Sequence, residues 1–231
     1  MQDFPTGYAL ADTTPAERPA TSDHQGQFIE LTLVDAARDA DTLYAATHGD
    51  DADPGQWTYM GYGPFADAGA MATWMRTLKT STDPQFMVVR DVQGKTPRGV
   101  VSFMNIVPNN RSIELGNIWY TPAARRSHTN TETIYLMLVE CFERCRYRRV
   151  EWKCDSLNAR SKAAATRLGF SYEGIFHQHI IYKGRNRDTA WFAMMDEDWP
   201  AIKENFEAVL YGKGGRLGAL NAPLVRAVAP W

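Results

Sequence analysis

Residues 125–131, RRSHTNT, put two guanidinium groups, hydroxyls, an imidazole and a carboxamide into one turn. A strand-like run, SIELGNIWY (112–120), precedes it, and helix-like residues, IYLMLVECFERC (134–145), follow. The first N–H groups of a helix have no carbonyl partner and carry partial positive charge. A strand-to-helix turn is therefore a ready anion site. With Arg125 and Arg126 beside it the natural guest is a pyrophosphate, and Ser127, Thr129, Asn130 and Thr131 can supply side-chain donors. The same residues also make good helix caps, with the arginines facing water. The turn alone leaves both readings open.

A second segment, NARSKAAATRLGF (158–170), joins a strand to an alanine-rich helix through Asn158 and Ser161. Small residues there let a ligand or another chain approach closely. Alone, the segment reads as a packing helix stopped by Gly169. The cysteines at 141, 145 and 154 form no evident Cys-His nucleophile arrangement. Cys141 and Cys145 share a helix face, but no third ligand joins them, so no metal site is expected.

The elements that must position these residues come from the rest of the 231-residue chain, which suits one domain with appendages. Hydrophobic residues make up 44%, enough for a sizeable core, and the net charge of -2 gives no electrostatic case for a nucleic-acid partner. No apolar run reaches membrane-spanning length, and the N-terminus lacks the order of a signal peptide. An odd cysteine count without framework spacing points to a reducing, cytoplasmic setting. Residues 1–26 read as a flexible arm. QFIELTLV (27–34) alternates as a first strand. Asp35 and Asp67 or Ala68 open two helices, separated by the aromatic loop DDADPGQWTYMGYGPF (50–65). Three strands with hairpin-like breaks end at Tyr120, and a helix spans 130–146. RRVEWKCD (148–155) is a strand, and YEGIFHQHIIYK and DTAWFAMMD pair as a hairpin around GRNR (184–187). Residues 200–231 give one more helix and a loose tail. The order β-α-α-β-β-β-α-β-α-β-β implies an α+β fold with a mixed, mostly antiparallel sheet over residues 27–199.

Taken together, ELGNIWYTPAARRSHTNTET, YRRVEWKCDSLNARSKAAATRLGF and EGIFHQHIIYKGRNRDTAWFAM resemble the GNAT acyltransferase superfamily, and within it the RimJ/RimL-like branch. The likeness covers roughly residues 114–195, and WTYMGYGPF fits the same branch. The N-x-x-S, RLGF and EG elements are fairly specific. The turn departs from the family pattern Q/R-x-x-G-x-G/A, with His128 and Asn130 at the two glycine positions.

The resemblance implies acyl transfer from acetyl-CoA to an amine. Arg125 to Thr131 would cradle the pyrophosphate, and Asn117, Ile118, Trp119 and Tyr120 would pair their backbone with the pantetheine arm. Asn158 would hold that arm from the other side, and Ser161 would lie near the thioester sulfur. Glu114, on the cofactor-bearing strand, is the first choice for general base, and Asp155 the second. Trp57, Tyr59, Tyr62 and Phe65 would wall the acceptor entrance, with Arg185 at the hairpin tip. The acceptor is expected to be a small-molecule amine. A protein α-amine, a non-catalytic acyl-CoA sensor and an interaction scaffold are the alternatives. A homodimer through the final hairpin or the C-terminal segment is possible.

Overall fold

Short β-branched and aromatic runs assemble into one eight-stranded sheet. The computed structural model describes residues 6–125, 127–212 and 214–226. Arg126, expected in the phosphate turn, lies outside the described residues. The strands are β1 (His24–Gln25), β2 (Ile29–Leu33), β3 (Gln85–Asp91), β4 (Pro97–Val107), β5 (Ser112–Tyr120), β6 (Arg149–Asp155), β7 (Ser171–Tyr182) and β8 (Arg185–Met195). The helices are α1 (Ala36–His48), α2 (Ala68–Leu78), α3 (Thr129–Val139), α4 (Ala159–Arg167), α5 (Trp199–Leu210) and α6 (Leu217–Asn221), and a π-helical turn, Glu140–Arg144, extends α3. The sheet order is β1-β2-β3-β4-β5-β6-β8-β7, with β5 and β6 parallel and every other neighbouring pair antiparallel.

Alternation along the strands gives the sheet two apolar faces. Leu31, Met87, Phe103, Leu115, Trp152 and Phe192 share one core with Ile134, Leu138 and Phe206 of the α3 and α5 side. Val34, Val88, Val100 and Trp119 share the other with Leu43 of α1 and Met71 and Met75 of α2. Asp35 caps α1, accepting from the N–H groups of Ala37 and Arg38, and Asp67 caps α2, accepting from Ala70. Gly169 ends α4 at φ +98°. A side chain there would also press on Ile202, 3.0 Å away.

Among the described residues, 16–25 and 217–226 are held in place where a loose arm and tail were expected. Among residues 6–26, the N–H groups of Ala16 and Glu17 donate to the carbonyls of Pro108 and Cys145, each at 3.0 Å. Ala20 donates to Glu140 Oε1 at 2.6 Å, and β1 adds a strand at the sheet edge. At the other end Leu217 and Asn221 are buried, and Asn221 donates to the Arg167 carbonyl at 3.2 Å. Arg226 N–H donates to Ser171 Oγ at 2.8 Å. Backbone donors that find fixed acceptors dock a segment whose composition is polar, and composition alone does not show those acceptors. Among the described residues no helix is long and apolar enough to cross a membrane.

Candidate active site

The site begins where two strands part. β5 and β6 pair only from Ser112 with Arg149 to Glu114 with Glu151. Beyond Glu114, β5 continues against β4, while β6 continues against β8. A bulge at Asn117 accompanies the divergence: β5 spends three residues where β4 spends two, and Asn117 stands at φ +52°. Asparagine tolerates that left-handed conformation better than most residues. Its Nδ2 donates to Ser102 Oγ at 2.9 Å, and that hydroxyl donates to the Gly116 carbonyl at 3.1 Å. From Leu115 to Tyr120 and from Trp152 to Asp155, the facing strand edges have no ladder between them. The gap opens into a cleft of about 1030 Å³.

At one end stands the strand-to-helix turn. Arg125 and Asn130 line the cleft; Ser127, His128, Thr129 and Thr131 do not. Ser127 Oγ lies 2.7 Å from the Ala124 carbonyl and accepts from Thr129 N–H at 3.2 Å. Thr129 and Thr131 are buried, and Thr131 Oγ1 accepts from Arg167 at 3.1 Å. His128 stacks on Phe28 with ring centroids 4.4 Å apart. The expected side-chain cradle is therefore corrected. Most of its hydroxyls close the turn, and Thr129 N–H is taken by Ser127, leaving Arg125 and Asn130 on the cleft lining. Asn130 bridges Tyr120 Oη, at 3.2 Å, and Arg167, at 2.6 Å. Burial pushes the Tyr120 phenol up to about 12.

Along the slot, Asn117, Ile118, Trp119 and Tyr120 form one wall and Trp152 to Asp155 the other. Asn158 caps α4, its Oδ1 accepting from Ser161 N–H at 3.1 Å. Ser161 Oγ accepts from the Trp152 indole N–H at 2.9 Å, so the hydroxyl is held at the cleft wall. Asp155 is buried and caps the following turn, accepting from Leu157 N–H at 2.8 Å.

Glu114 sits where the strands part and is 5% exposed. Its Oε2 is 2.9 Å from Lys153 Nζ and accepts from Asn105 Nδ2 at 2.5 Å. Burial pushes its carboxyl above the usual range, and Lys153 opposes that push. Lys153 also reaches Glu151 at 2.7 Å and lies 4.0 Å from the Trp191 ring centroid. Met104 packs over Gly116, and its sulfur would be 2.2 Å from any added Cβ there.

Of the aromatic residues expected to wall the acceptor entrance, Tyr59 alone lines the cleft; it donates to the Leu157 carbonyl at 3.2 Å. Trp57, Tyr62 and Phe65 turn away into the core with α1 and α2, since their combined apolar area is best hidden there. Trp57 packs edge-on against Trp119 at 5.2 Å. Arg185 closes the hairpin turn opposite Tyr182 but does not line the cleft. The turn is Lys183-Gly184, both at positive φ, and Arg185 is the first, exposed residue of β8. Sequence reasoning missed Asp53, Lys153, Arg160, Arg187 and Trp191, all of which line the cleft. Strand parity relative to Glu151 could have found Lys153, and RNRD read as strand could have found Arg187. Asp53 left no signal.

The cleft thus combines a strand splay, a helix N-terminus at one end and a buried carboxylate at the other. The family model described as an acetyltransferase (GNAT) domain matches residues 30–171. The chain belongs to the GNAT acetyltransferase family and is an acyltransferase. It is similar to a GCN5-related N-acetyltransferase from Brucella melitensis, with 34% identity over 92% of this chain and 100% of that one, TM-score 0.86. A GNAT-family acetyltransferase from Chromobacterium violaceum shares 35% identity over 87% of this chain and 100% of that one, TM-score 0.78. The fold is also that of the microcin C7 self-immunity acetyltransferase MccE, solved with acetyl-CoA and AMP, at 20% identity over 74% of this chain and 93% of that one, TM-score 0.63. No curated protein sequence matches the chain.

Proposed function

We propose that the chain is a cytoplasmic N-acetyltransferase that moves an acetyl group from acetyl-CoA to a primary amine of a small molecule or amino acid, by direct attack within a ternary complex. The observation that carries the reading is the parting of β5 from β6 just beyond Glu114. Unpaired strand edges suit the amides of a pantetheine arm, and the first turn of α3 with Arg125 suits its pyrophosphate. Backbone N–H groups beyond the Asn117 bulge offset charge that develops on the thioester carbonyl. Glu114 takes the proton from the amine, directly or through water. Ser161, held by Trp152, hydrogen-bonds the departing sulfur. Burial pushes up the Cys141, Cys145 and Cys154 thiols, which disfavours a thiolate relay.

A small acceptor is favoured over a peptide by the loop over the open face. Lys183 Nζ donates to the Trp57 and Gly63 carbonyls at 2.9 and 3.2 Å, and Tyr182 Oη donates to the Thr58 carbonyl at 3.1 Å. The hairpin tip and the aromatic loop are thereby tied together, which narrows the approach to the cleft from that side. The test is Glu114→Gln. Acetyl-CoA at about a hundred times its Kd should still stabilise the variant by about 2.7 kcal/mol, while turnover falls about 10²-fold or more. Full turnover with an unchanged pH profile removes Glu114 from the reaction, and no stabilisation of either protein by any acyl-CoA removes the donor reading.

A further inference from the structure

Asp53 brings the two walls of the cleft together at its phosphate end. Its Oδ2 accepts from Arg125, on the turn after β5, at 2.7 Å, and from Arg160, in the first turn of α4, at 3.0 Å. Arg125 also donates to Gln56 at 3.3 Å. Asp53 Oδ1 accepts from Gly55 N–H at 2.8 Å, and its side chain is only 14% exposed. The Gly55 N–H and the two guanidinium groups hold this carboxyl below its usual range. The three segments are far apart in sequence, and all three residues line the cleft.

We propose that Arg125 and Arg160 form a paired-guanidinium site for the pyrophosphate of the acyl donor, and that Asp53 fills this site as an internal anion until the donor displaces it. The proposal deepens the acetyl-CoA reading by adding Arg160 to the donor site and giving Asp53 a role in its occupancy. The charge count supports the exchange. One carboxylate offsets one of two guanidinium charges, whereas a pyrophosphate diester carries two negative charges and enough oxygens to engage both forks. The placement supports it as well, because the bridge joins the walls across the path of a pantetheine arm leaving the slot. The bridge is also weak enough to exchange. The Arg125 and Arg160 side chains are 43% and 85% exposed, and exposed ion pairs contribute little. The displacement is confined to residues 50–56, because Trp57 is buried and its carbonyl is held by Lys183.

The test measures binding of acetyl-CoA, inorganic pyrophosphate and S-acetylpantetheine, which carries no phosphate, to the wild type, Asp53→Asn and Arg160→Gln. Asparagine retains the bond from Gly55 and removes the charge. Asp53→Asn is expected to tighten acetyl-CoA and pyrophosphate about three- to tenfold and to leave S-acetylpantetheine unchanged. Arg160→Gln is expected to weaken both phosphate ligands by a similar factor. Unchanged or weaker acetyl-CoA binding by Asp53→Asn, or an equal gain for S-acetylpantetheine, overturns the exchange. The expected pattern with pyrophosphate alone, and no acetyl-CoA binding, supports the anion site while refuting the donor reading. No binding of either phosphate ligand to any of the three proteins overturns both.

Discussion

Replacing Lys153 with methionine removes the cation beside Glu114 and keeps most of the side-chain volume. The pair is 2.9 Å apart, and the lysine side chain is 13% exposed. At an effective dielectric of about 20 the raw attraction at that spacing is about 6 kcal/mol. Lys153 divides its charge between Glu114 and Glu151, and Asn105 remains as a donor to Glu114. A rise of about 1–2 pKa units in Glu114 is therefore expected, at about 1.4 kcal/mol per unit. If the ionised carboxylate takes the amine proton, the acid limb of kcat/KM moves up by the same 1–2 units. Below that limb the rate falls about ten- to hundredfold, and it recovers toward high pH. Stability changes in a matching direction. The folded-state pKa of Glu114 is already raised, so the stability it contributes is full below its unfolded value of about 4.3 and is lost as pH rises through the folded value. Burial pushes Glu151 up as well, yet Arg149 and Lys153 hold it below the usual range. Its contribution is therefore present above the unfolded value and lost in acid. Lys153→Met raises both folded values, so the deficit against the wild type should be small near pH 4 and grow as pH rises. Urea melts across pH and a pH–rate profile measure the two effects. An acid limb that stays in place while the stability deficit appears refutes Glu114 as the titrating base and leaves the pair a structural role.

Glu132→Ala should cost about 3–5 kcal/mol in a urea melt, because Glu132 is fully buried and accepts from the N–H groups of Gln27, Phe28 and Ile29 and from Tyr211 Oη; a loss under about 1 kcal/mol contradicts that account. Trp57→Glu should impair folding rather than alter acceptor binding, since the indole is 5% exposed; a stable variant with a raised acceptor KM would return Trp57 to the entrance. Tyr59→Ala should raise the acceptor KM several-fold and leave that for acetyl-CoA unchanged, and an unchanged acceptor KM places Tyr59 outside the acceptor path.

The element order was legible because each element has its own local signal. Asp35 and Asp67 announce two helices, Gly169 ends a third, and β-branched alternation marks β3 to β6. The docking of residues 16–25 and 217–226 was not legible. The contacts of Ala16, Glu17 and Ala20 depend on acceptors at Pro108, Cys145 and Glu140, and those positions are set only by the assembled sheet. The aromatic loop misled for a related reason. Trp57, Tyr62 and Phe65 carry the chemistry of a binding wall, but the face of α1 and α2 left open beside Trp119 offers them burial first.

The phosphate turn shows the same competition within a few residues. A turn that delivers a chain into a buried helix must satisfy its own polar groups before it can serve a ligand. Ser127 bonds within the turn, and Thr131 receives Arg167 from α4. Donor-rich composition is therefore weak information about donors that face a ligand. The two family glycine positions differ for the same geometric reason. At 128 the imidazole stacks on Phe28, outside the lining of the slot. At 130 the carboxamide stays on the lining, but Tyr120 and Arg167 fix its direction. Bulk at the first position stays off the cleft lining, and bulk at the second is held to one side by its own hydrogen bonds. Of this turn, the Arg125 guanidinium and Asn130 remain on the cleft lining, and neither needs glycine at the two family positions to reach it.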